Sequence, residues 1–251
     1  MTPLSGKRIL ITRPAGQAEK LAQLVREAGG EPLSIPAIEI LPLEDAAPFH
    51  ALARRLESFG LAIFVSRNAV RRALELLGGR AWPAGLRVAT VGQGSKEELQ
   101  QRGFAQVIAP AAQSDSEALL AMPELAAMRG RSVVIFRGDT GRQLLGEELE
   151  KRGASVEYAA CYRRVRPAGG DLAAAWQCGV DAVTLSSAEG LQNLIEMLGA
   201  GATAKLAATA LFVPHARVAR EAERRGLRAL IAGPRDAQMA AALVAYFGGA
   251  R

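Results

Sequence analysis

Cysteine, histidine and aromatic residues are scarce in this chain of 251 residues. Its two cysteines, Cys161 and Cys178, are too few for a disulfide framework or a four-cysteine metal cage, and they suit a reducing compartment. The two histidines, His50 and His215, stand far apart with no Cys, Asp or Glu at ligand spacing, so no metal site is expected. Two Trp, three Tyr and seven Phe are not interleaved with the basic residues as base-stacking platforms would be. No apolar run reaches the length a membrane-spanning helix needs, and Met1 to Lys7 lacks the apolar stretch of a secretion signal. A cytoplasmic, globular protein is the expectation.

What is present is 49% hydrophobic and 22% charged, enough apolar surface for one large core or two smaller ones, and two are favoured. Lys plus Arg at 31 against Asp plus Glu at 25 leaves a net charge of +6. The basic residues are dispersed, not gathered in a tail or stripe, which argues against nucleic acid or a membrane surface as partner. Small anionic ligands remain.

Lys7 to Thr12 is a short apolar run that stops at Arg13-Pro14, after which Leu21, Leu24, Val25 and Ala28 recur at helical spacing until Gly29-Gly30. The same strand, turn, helix and glycine stop recurs. Leu61–Val65 precedes Ala69–Leu77, Leu86–Val91 precedes Ser95–Arg102, and Ser132–Phe136 leads to a helix ending at Gly153. Val180–Leu185 precedes Leu191–Leu198, and Ala210–Val213 precedes Val218–Arg225. Strands alternating with single helices predict parallel α/β sheets covered on both faces.

The blocks also match one another. Arg13 and Gly29 are repeated by Arg137 and Gly153, each 124 positions on; Ser66 by Ser186, 120 on; and Gly103 by Gly226, 123 on. A duplication of two similar halves follows. Two Pro-bounded extended stretches, Pro36–Leu43 and Tyr158–Pro167, fall at corresponding places and read as linkers. The expected organisation is a discontinuous first domain of 1–36 and 167–251, a second domain of 43–158, and linker strands 37–42 and 159–166.

In open parallel sheets ligands settle beyond the carboxyl ends of strands, where helix N-termini present free N–H groups. Arg13 sits at such a strand end directly before a helix, where the dipole makes a cation mildly unfavourable, so stability alone would not choose it. Its counterpart Arg137 precedes a flexible turn, with Arg142 expected one helical turn inside. Either arginine pairs with a nearby carboxylate or receives an anion. Ser66-Arg67-Asn68 and Ser186-Ser187 open helices, where they cap N–H groups or take a ligand carboxylate. Gly92-Gln93-Gly94-Ser95-Lys96 makes another turn but falls short of a phosphate loop, so no nucleotide is implied. No nucleophile with an adjacent base is suggested.

Taken together, "ILITRP", "FVSRNAV" (64–70), "VGQGSKEEL" (91–99), "SDSEALL" (114–120), "RGDTGRQLLGEELEKRGASV" (137–156), "CYRRVRP", "DAVTLSS" and "RVAREAERRG" resemble the uroporphyrinogen-III synthase family. The resemblance spans nearly the whole chain and rests on order and spacing. It implies two parallel-sheet, flavodoxin-like α/β domains joined by a two-stranded linker, a cleft between them, a monomer, and no cofactor. It implies a cofactor-independent, cyclising lyase that takes hydroxymethylbilane, expels water and inverts ring D to give uroporphyrinogen III. A polyanionic bilane suits a basic protein. Because the linear compound also closes unaided to the uninverted isomer, the protein would act by holding one folded conformation.

On this resemblance Arg13, Ser66, Asn68, Gly94, Ser95, Lys96, Arg137, Arg142, Ser186, Ser187, His215 and Arg217 are expected to grip the substrate. Tyr162, in "CYRRV", matches the family's linker tyrosine and either donates a proton or hydrogen bond to the departing hydroxyl or packs the hinge. Ser95 and Lys96 stand where the family often has Thr-Ala, and His215 where a small hydroxyl residue is usual. The alternative from another class is a non-catalytic, two-lobed α/β protein that binds a small polyanion.

Overall fold

The computed structural model describes residues 2–111 and 115–249. Ser114 of the "SDSEALL" motif therefore lies outside the described residues. In chain order the elements are β1 (Arg8–Ile11), α1 (Glu19–Glu27), β2 (Glu31–Ser34), β3 (Glu39–Leu41), α2 (Ala47–Ala53), β4 (Leu61–Phe64), α3 (Arg67–Leu77), β5 (Arg87–Thr90) and α4 (Gln93–Gln101). They continue with α5 (Ser116–Leu120), β6 (Ser132–Gly138), α6 (Leu144–Lys151), β7 (Ser155–Val165), α7 (Leu172–Gln177), β8 (Ala182–Thr184) and α8 (Ala188–Leu198). The last are α9 (Ala202–Ala207), β9 (Ala210–Val213), α10 (Ala216–Glu223), β10 (Ala229–Ile231) and α11 (Asp236–Gly248).

The chain divides into two compact units, 1–39 with 165–251, and 40–164. The first holds a sheet of order β10-β9-β8-β1-β2, the second one of order β3-β7-β6-β4-β5. Every pairing β1–β2, β1–β8, β8–β9, β9–β10, β4–β5, β4–β6 and β6–β7 is parallel. The fold is thus two parallel-sheet α/β units.

Both sheets are covered on both faces, which is why their strands read as continuous apolar runs. In the first unit Leu10, Val183 and Leu211 point to a core with α8 and α10, while Ile9, Ile11, Ala182 and Phe212 point to another with α1 and α11. In the second, Ala62, Phe64, Val134 and Phe136 meet α2, α3 and α4, while Leu61, Ile63, Val133 and Ile135 meet α5 and α6. Successive strand residues alternate faces, so burial on both sides requires an unbroken apolar run. Pro32, which lacks an N–H for a ladder, sits in β2 at a sheet edge.

Strand order also reflects the repeat. Replacing β9, β8, β1 and β2 by their counterparts β5, β4, β6 and β7 gives the same succession in the second sheet, and Ile108, bridged to Ala89, stands where β10 stands in the first. Gly29 and Gly153, at matching helix ends, both take φ +88, a conformation open to glycine at little cost. Each sheet mixes strands from both halves of the chain, the exchange that the paired linkers suggested.

Several expectations are corrected. The stretch 159–166, expected as a linker strand, is up to Val165 the continuation of an 11-residue strand that starts at Ser155 and pairs with β6. Unit boundaries fall inside β3 and β7, which are neighbours in one sheet, so the two connecting strands are built into the second unit. Arg13 does not directly precede a helix, because residues 14–18 intervene before α1. Arg142 lies outside α6, in the loop that Gly141 (φ +135) opens. The short helices α2, α5, α7 and α9 carry too few turns for a helical period to register.

Candidate functional site

Polar residues collect at the carboxyl ends of both sheets. In the first unit Thr12, just past β1, donates its hydroxyl to Thr184 O at 2.8 Å and brings β1 and β8 to a common end. Arg13 next to it is mostly buried and forms an ion pair with Asp236 at the start of α11. Asp236 suits the positive end of that helix, and Arg13 is drawn to the pair. An anion reaching Arg13 must therefore compete with a resident carboxylate.

Ser187 caps α8 by accepting the Gly190 N–H at 3.0 Å, from an extended backbone at φ −159. Ser186 is exposed and makes no such cap. Its expected equivalence to Ser66 is accordingly off by one residue: α3 and α8 each have eleven residues, and the serine before each is Ser66 or Ser187. His215 is the residue before α10, with no side-chain cap bond, and Arg217 is exposed on the first turn.

In the second unit Ser66, two residues past the end of β4, accepts the Ala69 N–H at 3.1 Å, capping α3. Asn68 lies in the same first turn, partly buried. Tyr162, fully buried, lies behind Ser66 with Oη 3.2 Å from Ser66 Oγ. The guanidinium of Arg164 donates to the same phenol oxygen at 3.2 Å. Gly94 and Ser95 belong to the first turn of α4, which begins at Gln93 and not at Ser95 as the glycine-rich stretch suggested. Gly92 is the N-cap residue, with an extended backbone (φ −167), and Gln93 and Gly94 open the first turn. A Cβ on Gly94 would fall inside the guanidinium of Arg67, so glycine is what lets Arg67 lie across the start of α4. Ser95 is nearly buried. Lys96 lines a groove with Trp82, Arg87 and Phe104, beside β5.

Arg137 lies in β6, stacked 4.9 Å from the Tyr158 ring, and donates to Gly138 O and Arg142 O at 3.2 Å each. It holds its own loop. Arg142 makes a two-pronged pair with Glu117 of α5 at 2.7 and 3.3 Å. Beneath the surface Glu98 joins Arg71 of α3 (2.8 Å) to Arg102 (3.3 Å). The Arg71 hydrogen bond holds the Glu98 carboxyl below its ordinary range, against the opposing effect of burial. Burial pushes the Cys161 thiol up to about 12, so this sulfur is no nucleophile at neutral pH.

The structure therefore brings Ser66 to Tyr162 and Arg137 to Arg142, while Lys96 faces a separate groove. Sequence reasoning passed over Arg67, Arg164 and Asp236 as functional candidates. Arg67 carried a legible signal, a cation at the first position of a helix where the dipole disfavours it. Arg164 sat in the quoted "CYRRV" but had no visible partner, and the Arg13–Asp236 pair joins opposite ends of the chain. Among the described residues no cluster of three or more His, Cys, Asp or Glu is placed to hold a metal, and no helix is long and apolar enough to cross a membrane.

Donors at helix starts, with no activated nucleophile, make an arrangement suited to holding anions more than to covalent chemistry. Comparisons with known proteins bear on which anion. The family model described as uroporphyrinogen-III synthase HemD matches residues 19–241. The uroporphyrinogen-III synthase of Salmonella typhimurium is 34% identical over 191 residues, covering 74% of this chain and 78% of that protein. The Escherichia coli enzyme of the same name is 31% identical over 195 residues, covering 76% and 79%. Among solved structures, a mutant uroporphyrinogen III synthase from Thermus thermophilus superposes with a TM-score of 0.65 at 20% identity, covering 94% of this chain and 97% of that one.

Proposed function

The chain belongs to the uroporphyrinogen-III synthase family, and we propose from that premise how its own residues serve the family's reaction. The activity is that of a cyclising lyase of tetrapyrrole biosynthesis, which converts hydroxymethylbilane to uroporphyrinogen III with loss of one water and inversion of ring D. The match over residues 19–241 carries this assignment.

The chemistry asks for shape more than for reactive groups. Departure of the hydroxymethyl oxygen as water leaves an electrophilic azafulvene on ring A, and the pyrrole supplies the electrons that expel it. The substituted α-carbon of ring D attacks that methylene to form a spiro intermediate, which fragments and recloses with ring D reversed. The competing closure at the free α-carbon needs no protein. An enzyme gains its selectivity by holding the chain so that the substituted carbon arrives first, a contribution of positioning.

In our reading the strand-end donors within each unit are suited to acetate or propionate carboxylates: Ser187 and the N-terminus of α10 with His215 and Arg217 in the first, and Ser66, Asn68, Arg67 and the start of α4 in the second, while Arg13 is engaged by Asp236. The support is that these groups offer N–H and O–H donors and positive charge without a nucleophile. A net charge of +6 favours encounter with a polyanion. We also propose a monomer working in the cytoplasm on small tetrapyrroles, with neither nucleic acid nor membrane as partner; the dispersed basic residues support the absence of those two partners.

The test is to supply freshly generated hydroxymethylbilane and resolve the product isomers by chromatography. Enrichment of type III over the spontaneous type I is expected. A ratio equal to that in buffer, from folded protein, overturns the reading.

A further inference from the structure

We propose that Tyr162 is a positioning residue that acts through Ser66: the buried phenol gives its hydrogen to Ser66 Oγ, leaving the serine's own hydrogen to be donated to a substrate carboxylate. This deepens the functional reading above and rests on it, since it takes Ser66 as one of the groups that hold the polyanion.

The phenol reaches its place through an irregularity in the sheet. The β6–β7 register pairs Arg137 with Ala160 but Gly138 with Tyr162, so one extra residue, Cys161, is accommodated in β7. A bulge of this kind re-aims the side chain that follows it. As a result Cys161 and Tyr162, though consecutive, both enter the core that contains Phe64, Ala69 and Phe136. Gly138 makes the room, because a Cβ there would lie 2.9 Å from Cε2 of the Tyr162 ring.

Hydrogen-bond bookkeeping then sets the direction of the chain of donors. Among the described residues Tyr162 Oη is within hydrogen-bond distance of Arg164 Nη2 and Ser66 Oγ, each at 3.2 Å. A guanidinium can only donate, so Arg164 occupies a lone pair of the phenol oxygen. The phenol hydrogen lies on a residue with no solvent exposure, where an unmade bond is costly, and Ser66 Oγ is the acceptor at hand. Ser66 Oγ also accepts the Ala69 N–H at 3.1 Å. With both of its lone pairs engaged, what the serine has left to offer is its own hydrogen, at the carboxyl end of β4 where the residue is partly exposed.

The repeated half supplies an internal control. Ser187 has nearly the same backbone conformation as Ser66 (φ −159 against −166) and makes the same cap to the N–H three residues on. The position that matches Tyr162 by the 124-residue spacing is Ile38, an apolar residue; a Cβ on Gly190, whose N–H Ser187 caps, would lie 3.8 Å from its Cδ1. The cap thus forms without a phenol behind it. Folding of the helix start does not account for the hydroxyl of Tyr162.

The test compares steady-state kinetics of Tyr162→Phe, Ser66→Ala and the double variant on hydroxymethylbilane. If the phenol serves a binding serine, Tyr162→Phe raises KM by roughly 2- to 12-fold, the worth of one net hydrogen bond, with kcat held. In the Ser66→Ala background the same change has no further effect, because the group it acts on is gone. Ser66→Asp guards against loss of the cap: it keeps an acceptor for Ala69 and for the phenol, and should retain the unfolding temperature while raising KM more than Ser66→Ala does. An unchanged KM in Tyr162→Phe, a loss carried mainly by kcat, or effects that multiply in the double variant would each overturn the proposal. A wild-type protein that yields only spontaneous product defeats the functional reading itself, before any variant is compared.

Discussion

Gly138→Ala probes the packing on which the site of the second unit depends. The added methyl would stand 2.9 Å from Cε2 and 3.2 Å from Cζ of Tyr162, while ordinary contact begins at 3.4 Å, so the ring must retreat by about 0.5 Å (3.4 minus 2.9). Tyr162 is fully buried among Phe64, Ala69 and Phe136 and has no solvent into which to move. Overpacking of this kind costs about 1–3 kcal/mol. Replacing glycine returns up to about 1 kcal/mol by restricting the unfolded chain. The net loss is then about 0–3 kcal/mol, which lowers the Tm by up to roughly 12 °C for a chain of this size. Thermal unfolding followed by circular dichroism measures it, with Tyr162→Ala as the second background. There the offending ring atoms are absent, and Gly138→Ala should be neutral or slightly stabilising. An equal loss in both backgrounds would falsify the account, since the cost would then not arise at the phenol. Activity adds a second readout: a displaced phenol loosens its 3.2 Å bond to Ser66, so KM should rise as in Tyr162→Phe.

Three other outcomes follow from the same geometry. Ser187→Ala removes the cap of α8 and should cost about 1 kcal/mol in urea unfolding, with Ser186→Ala nearly silent; the reverse order would restore the expected Ser66–Ser186 equivalence. Glu98 is held below its ordinary value of 4.5 by Arg71 first, with burial opposing and Arg102 assisting. Because the folded pKa is the lower one, its contribution is complete above about pH 4.5 and is lost as pH falls through the folded pKa. Glu98→Gln should therefore flatten the acid limb of the stability curve and leave a smaller difference from wild type at low pH than at neutral pH. Finally, a thiol reagent at neutral pH should titrate exposed Cys178 in the native protein and Cys161 only after unfolding, because burial raises the Cys161 pKa to about 12; two fast-reacting thiols in folded protein would contradict that burial.

Much of the fold was legible because local chemistry repeats along the chain. Apolar runs of four residues, polar turns and amphipathic stretches ending in glycine identified most of the strands and the longer helices between them. The Arg13–Arg137 and Gly29–Gly153 spacings pointed to the duplication, which equivalent strand orders now support. Helix starts were less legible: Ser186 and Ser187 are adjacent hydroxyls of equal capping ability, and only the direction of the chain leaving β8 selects Ser187. The glycine-rich stretch before Lys96 read as a loop because glycine is a poor helix former, yet it forms the first turn of α4, where Gly94 admits the guanidinium of Arg67.

The amino-acid order alone determined the class of layer architecture, the places where strands hand over to helices, and a basic, nucleophile-poor set of strand-end residues, because each depends on neighbours within a few positions. Tertiary structure decided which charges are already spent on partners, as Arg13 is on Asp236 and Arg142 on Glu117, and which way Tyr162 turns. Those outcomes depend on side chains brought together from distant positions and on one residue of slip between β6 and β7, for which no short stretch of chain carries a period.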